Sequence, residues 1–560
     1  VSGVRETAPG IASAERARSG TDNQEVRQMA GGDEADAVIV GAGHNGLVAA
    51  ALLADAGWDV VVLEAQDEVG GAVRSAELVP GFRMDLFSAF YPLAAASPSL
   101  RRLALEDHGL RWSRAPVVYG HPTCAEDDDA VAVYPDLDAT AAALARRDPR
   151  DGSTWLRLAE QWQTVKPHLL RAFLGPFPPV RGPLGLLRRL GSAELLRYLR
   201  FLVLPVGRMT DELFHDEAAK LLLLGNAMHA DVPVDAPGSG VYGYLLTMLA
   251  QDVGFPVPVG GAGELSRALA RRAEAAGARV CCGQPVDRIV LRGGRAGGVV
   301  TVGGTVVRAR RAVIADVDAP TLYTELLAQE QLPARLRSDL TRFGWDAPTV
   351  KVNYALSGPV PWRSEVLRSA GTVHLGADRN GLARWTTDLG TGVVPDTPFL
   401  LFGQMTTADR SRSEPGTESA WAYTHLPRGI TDDAAADLLA ERVDAVLEAH
   451  APGFVDRIRA RIVQRPGDLH AADANLVGGA VNGGTSQLHQ QLIFRPVPGL
   501  GRPETPIPGL YLGSSSAHPG GGVHGTCGAN AARAALAAQR RTGWPRRKAA
   551  ATLTAVLYGD

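Results

Sequence analysis

Residues 38–53 read VIVGAGHNGLVAAALL, and this stretch decides the fold. The run DAVIV (36–40) is continuously apolar, as expected of a parallel strand buried on both faces. Gly41, Gly43 and Gly46 follow as GxGxxG. The next residues, NGLVAAALLADA, carry a helical pattern that Gly57 can terminate. A second run, DVVVL (59–63), closes on Glu64, completing a βαβ unit. Gly41 permits the tight turn, Gly43 lets a diphosphate approach the backbone, and Gly46 lets the helix lie close to the strand. Free N–H groups around Asn45 and the positive end of the helix dipole face that diphosphate. A carboxylate at Glu64 accepts from a ribose diol and disfavours a 2′-phosphate. The expectation is a dinucleotide cradle.

The whole chain has 560 residues, 45% of them hydrophobic, which predicts two or three domains or one large two-lobed enzyme. Charged residues make up 21% with a formal net charge of −3, a balance that argues against nucleic acid as a partner. The cysteines are Cys124, Cys281, Cys282 and Cys527, with no CxxC, so no metal site is expected and a reducing cytoplasm is. The Arg-, Ala- and Gly-rich composition suggests a high-GC bacterium. Residues 1–34 are polar and aperiodic and read as a disordered leader, or as upstream sequence if the natural start is Met29. No run reaches 18 uninterrupted apolar residues, so no spanning helix is expected.

Further along, EAQDEVGGAVRS (64–75) places Gly70, Gly71 and Arg74 after the carboxylate, and GFRMDLFSAF (81–90) follows as a strand. The segment VPVGGAG…VDRIV (257–290) reads as a turn, a helix and a strand reaching Val286. RARRAVIADVDA (308–319) supplies another strand ending near Ala315 and Asp316. At the far end, PGLYLGSSSAHPGGGVHGTCGANAARAALAA (508–538) reads as a strand (510–513), a loop and a helix with Gly520, Gly521 and Gly522 at its start. In these motifs the sequence resembles the glutathione-reductase-like flavoproteins of the amine oxidase and phytoene desaturase type. The resemblance runs from residue 35 to about 540 and includes TVKVNYALSGPVPW (349–362) and NLVGGAVNGGTSQLHQQLIFRPVPG (475–499). It is strongest to the branch named pyridine nucleotide-disulfide oxidoreductase domain-containing protein 2.

That resemblance implies FAD as cofactor. It places Gly70, Gly71 and Arg74 near the flavin diphosphate, and the backbone of Val286 against adenine. It brings Gly513, Gly520, Gly521, Gly522 and Val523 to the ring, with the following helix stabilising negative charge on the reduced flavin. No second GxGxxG in a βαβ context exists, so a separate NAD(P)H domain is not expected. The implied fold is α/β: a Rossmann-like FAD-binding domain of the glutathione-reductase/amine-oxidase type, with an α+β substrate domain of antiparallel sheet and helical cap. The FAD-binding domain is expected from 35–105, 255–325 and 505–545, the substrate domain from 106–254 and 326–504, and a tail at 546–560.

Within the substrate half, TVKVNYAL (349–356) alternates as a half-buried strand, and 433–450 reads as a covering helix. Residues 184–225 mix leucines with paired arginines. Arg188, Arg189, Arg197 and Arg200 either meet lipid headgroups over an apolar tunnel or form a solvated basic face. The expected chemistry is hydride transfer from a hydrophobic or amphiphilic small molecule to flavin N5, with His518 and Lys351 as catalytic candidates. Asn353, His489, Gln490, Arg495 and His524 are further polar candidates, Arg495 being expected to pair with a carboxylate or with backbone. Amine oxidation, flavin-dependent isomerisation or saturation, and a non-catalytic FAD-holding interaction protein stand as alternatives. The electron acceptor, oxygen or a quinone, is left open, as is peripheral membrane contact through the arginines or through RRTGWPRRK (540–548).

Overall fold

The computed structural model describes residues 33–540, 552 and 556–558. The expected leader therefore lies outside the described residues except for Asp33 and Glu34, which open the first strand, and most of the expected tail lies outside as well. The basic stretch 541–548 is likewise outside them.

Two seven-stranded sheets organise the molecule. The first runs in the order Val286–Arg292, Arg295–Thr301, Val306–Ala315, Asp33–Val40, Val60–Leu63, Arg279–Cys281, with Leu510–Leu512 also paired to Val306–Ala315. Its centre is parallel: Asp33–Val40 pairs with Val306–Ala315 on one side and Val60–Leu63 on the other. Val38, Ile39, Val60 and Val62 are fully buried, because helices cover the sheet and only β-branched, wholly apolar strands suit such a position. Three separated stretches of chain thus meet in one sheet.

The second sheet runs Ile458–Gln464, Thr349–Leu356, Glu418–His425, Leu400–Gln404, Ala370–Leu375, Val117–Pro122, Ala130–Val133. It is antiparallel except where Ala370–Leu375 pairs parallel with Val117–Pro122. The alternation expected for TVKVNYAL is corrected, since all eight residues are buried. Val350, Val352 and Tyr354 share a core with Leu439, Val443 and Leu447 of the helix Asp433–His450. The polar residues Lys351 and Asn353 are buried among other chain segments rather than in solvent.

Helices Pro149–Phe173, Arg181–Val203, Glu217–Ala227 and Ser239–Val253 form a separate layer beside the second sheet. Arg181–Val203 kinks at Gly191, whose φ is 77°. Its arginines are solvated, and two of them are paired: Arg197 with Glu194 and Arg200 with Glu212, each at 2.7 Å. Among the described residues no helix is long and apolar enough to cross a membrane.

Candidate functional site

The glycine turn leaves no room for side chains. A Cβ at position 43 would stand 2.7 Å from Asp316 Oδ2, and one at position 46 would stand 2.2 Å from the Gly41 carbonyl. The second glycine pair lies directly on the first. Gly70 forms a bridge with Gly43 and donates its N–H to Ala42 O at 2.9 Å, and a Cβ at Gly71 would be 3.4 Å from Gly43 Cα. Glu64 accepts from Ala42 N at 2.7 Å and from Gln66 N at 2.9 Å, so its carboxylate is held at the mouth of the turn. Gln284 N donates to Glu64 O at 2.7 Å, which brings the segment entering Val286 alongside.

Arg74 bonds to the second glycine turn. It is buried, donates Nε to Gly71 O at 3.0 Å and Nη2 to Ala472 O at 2.5 Å, and lies over the Phe87 ring at 5.3 Å. The guanidinium props the glycine turn from beside it.

Asp316 has a position that the sequence did not assign to it. Its Oδ2 accepts from Gly46 N at 2.7 Å, at the first turn of the helix His44–Ala54. Burial, with Asp473 and Glu64 nearby, pushes its carboxyl well above the usual range. Asn475 ties the chain after Asp473 to this point, donating Nδ2 to Asp316 O at 3.1 Å and accepting from Asp318 N at 2.8 Å. A glycine cradle that any Cβ would fill, free helix N–H groups and a fixed Glu64 fit the ADP portion of a dinucleotide. Only tertiary contacts single out Asp316 and Asp473, which is why local pattern missed them.

The C-terminal segment arrives beside this cradle. After Leu510–Leu512, the helix Thr526–Gln539 packs on His44–Ala54 so tightly that a Cβ at Gly528 would be 1.8 Å from Asn45 O. The glycine triplet is not the helix start. The cap is Gly525 (φ 64°), while Gly520 (φ 110°) and Gly522 (φ 103°) turn the preceding loop. Gly521, Gly522 and Val523 reach the cavity together with Gly43, His44 and Asn45. Gly513 and Gly520 stand behind it: Gly513 N donates to Ala315 O at 2.8 Å, and Gly520 lies against Arg495. Arg495, fully buried, donates to the carbonyls of Asn482, Gly483, Thr485 and Ser515, so it pairs with backbone.

His518, one of the two catalytic candidates, does not line the cavity. Its ring packs edge-to-face on Phe177 at 5.7 Å, and burial pushes it down to about 4. The cavity lining passes through Ser514–Ser516 and Gly521–Val523 and leaves His518 behind. His524 accepts from Thr526 N at 3.0 Å and is structural, Gln490 bonds to the Gly344 backbone, and His489 is exposed. Asn353 donates to Gln464 Oε1 at 2.7 Å.

Lys351, by contrast, lines the cavity. Its Nζ donates to Asp85 O and, at 3.2 Å, to Phe87 O, and lies 5.7 Å from the Trp421 ring. Burial pushes its amine down to about 7, against the pull of Asp85 and with the help of Arg412. Asp85 in turn is clamped by Arg412 at 2.9 Å and accepts from Ala262 N at 2.7 Å. The cavity has a volume of about 340 Å³. Beyond the cradle its wall is apolar and aromatic, with Phe90, Leu245, Leu246, Phe255, Trp421 and Tyr423.

Comparison with known proteins agrees with this geometry. The chain is 28% identical over 544 residues to pyridine nucleotide-disulfide oxidoreductase domain-containing protein 2 of Rattus norvegicus, covering 89% of this chain and 93% of the relative. It is 25% identical over 550 residues to one of the subunits of limonene dehydrogenase from Castellaniella defragrans, covering 89% and 94%. It is 28% identical over 414 residues to a zeta-carotene-forming phytoene desaturase of Myxococcus xanthus, covering 70% and 73%. Among solved structures, an oxidoreductase from Methanosarcina mazei shares the fold with a TM-score of 0.59 at 16% identity, covering 89% of this chain and 99% of that one. Residues 46–536 match the flavin containing amine oxidoreductase model, and with a cradle that fits FAD the chain belongs to that family as an FAD-dependent oxidoreductase.

Proposed function

We propose that the protein dehydrogenates an apolar small molecule held in the cavity against FAD. One observation carries this reading: a single cavity joins the glycine cradle, at Gly43–Asn45, to an aromatic and aliphatic wall at Phe90, Leu246, Phe255 and Trp421. FAD, when bound, supplies a hydride acceptor. The apolar wall excludes water and favours a hydrocarbon over a charged ligand. Trp421 and Tyr423 stack at 5.8 Å and an interplanar angle of 22°, a rigid surface against which a flat or cyclic substrate can lie. Lys351 presents an amine near its neutral form, able to hold a water or accept a proton at Nζ. Gly70, Gly71, Glu64 and the backbone before Val286 hold the ADP portion, while Gly521, Gly522 and Val523 approach the ring.

The names of two relatives, limonene dehydrogenase and phytoene desaturase, support a hydrocarbon substrate over an amine. Oxygen or a quinone takes the electrons away. Peripheral membrane contact would use Arg181–Val203, where Leu184, Leu187, Leu196 and Leu199 are exposed; co-sedimentation with anionic vesicles tests it. The main test is anaerobic mixing of the FAD-loaded protein with limonene, phytoene and benzylamine, followed by absorbance. Bleaching by a terpenoid is expected; bleaching by benzylamine alone would replace this reading with amine oxidation.

A further inference from the structure

The cavity wall carries an imidazole that the glycine cradle does not need. His229 lies in the short turn Met228–Ala230, after the helix Glu217–Ala227, and lines the cavity. Its Nε2 is 3.0 Å from Nε2 of His374, in the strand Ala370–Leu375. Two ring nitrogens at that distance share one hydrogen: one donates and the other accepts. With Nε2 engaged, Nδ1 of His229 is the nitrogen left to meet a ligand.

The fold makes room for this pair. His374 is fully buried, and a Cβ at Gly225 would stand 2.4 Å from its Nδ1. A glycine inside the helix Glu217–Ala227 is less favourable than alanine, and here it admits the ring. Burial of imidazoles with unsatisfied nitrogens is also unfavourable, yet His374 Nδ1 and His121 Nε2 both lack a hydrogen-bond partner among the described residues. His121 stands edge-on to His374 at 6.3 Å. On the other side, His425 Nε2 is 2.7 Å from Asp231 Oδ1, and His425 bears on His229 electrostatically. Asp346, Tyr423, Tyr119 (5.4 Å from the His374 ring) and His450, which bears on His121, are further titratable neighbours. Leucine or phenylalanine would fill such a core at lower cost.

We propose that His229 is a catalytic residue that accepts the proton leaving the substrate, at Nδ1, and that His374 shares the resulting charge through the Nε2···Nε2 bond. The step rests on the dehydrogenase reading above and balances. One substrate C–H bond breaks and its electron pair and hydrogen pass to FAD as hydride, oxidising the substrate and reducing the cofactor. A hydrogen on the adjacent atom leaves as a proton to His229, and the electron pair it leaves behind becomes the new π bond. Burial pushes His229 down to about 4 and His374 well below the usual range, so both are neutral at neutral pH. Mutual repulsion limits the pair to one proton.

Two measurements test this. In FAD-loaded protein carrying ¹⁵N-histidine, NMR should show one proton coupled to both Nε2 atoms, and His374→Leu should shift the titration midpoint of His229. Absence of the shared proton, or an unshifted midpoint, overturns the proposal. Should His374→Leu fail to fold, the wild-type spectrum still decides. Second, His229→Gln should slow anaerobic bleaching by limonene or phytoene about 100-fold while leaving reduction by dithionite unchanged. An unaltered bleaching rate overturns the proposal. If neither terpenoid bleaches the wild-type flavin, the substrate reading falls, and the NMR result alone judges the shared proton.

Discussion

Gly43 and Lys351 show how single positions set the limits of the site. A Cβ at position 43 has only 2.7 Å to Asp316 Oδ2, and Asp316 is itself fixed by Gly46 N. Gly43→Val should therefore yield protein that lacks stoichiometric FAD; purified variant with a full flavin spectrum would refute the cradle. Lys351 makes a prediction about stability. Its unfolded amine keeps a proton up to about 10.5, while the folded one releases it above about 7. Between those values the unfolded chain binds more protons, so stability rises with pH there, by up to about 1.4 kcal/mol per unit. Lys351→Met should flatten that rise in denaturant titrations between pH 7 and 10. At this scale the sequence was informative where a residue acts through its own backbone. Gly41, Gly43, Gly46, Gly70 and Gly71 were legible because glycine is needed locally. His518 was not, because which way a loop imidazole faces depends on Phe177, far away in the chain.

Elements carry the next level of constraint. The helices His44–Ala54 and Thr526–Gln539 come from opposite ends of the described chain and touch at Asn45 and Gly528. Gly528→Val forces them apart, and a cost of about 3 kcal/mol or more is expected from overpacking, with FAD lost before global unfolding. Parallel thermal melts followed by flavin fluorescence and by circular dichroism would separate the two events; coincident melts at the wild-type temperature would refute it. The hairpin Ser75–Val79 and Phe82–Asp85 is pinned by Arg412, whose side chain is fully buried between Asp85 and Asp409, each at 2.9 Å. Arg412→Leu leaves two buried carboxylates without their cation and should destabilise the fold by about 3–5 kcal/mol, measurable in urea. The helix Asp433–His450 and the strand Thr349–Leu356 were legible from periodicity, but the strand's second covered face was not. Alternation reports polarity, and a polar residue such as Lys351 can be buried when carbonyls receive it.

For the whole molecule, acid should be the revealing perturbation. Burial holds His44, His121, His229 and His518 down to about 4, His524 to about 3, and His374 lower still than usual. Unfolded, each takes a proton below about 6.5, so folding is progressively lost as pH falls from there toward 4. Asp346, Glu418 and Asp316, raised by burial, act in the opposite sense, since their folded forms keep protons that the unfolded chain releases. Asp318, Asp444 and Asp473 are raised by burial in the same way. By calorimetry, His121→Phe should lessen the fall in melting temperature between pH 6.5 and 4, and an unchanged profile would contradict a buried neutral imidazole at that position. The fold class was readable from the two distant glycine-rich motifs, whereas the histidine cluster was not, because its members come from four separate elements that only the finished tertiary structure assembles. The first sheet has a temporal consequence as well. Leu510–Leu512 hydrogen-bonds beside Val306–Ala315, so a ribosome must translate through residue 512 before the nucleotide half can close. A nascent chain stalled ahead of that strand would expose an unsatisfied sheet edge to chaperones, and flavin loading becomes an event that waits for that strand to emerge.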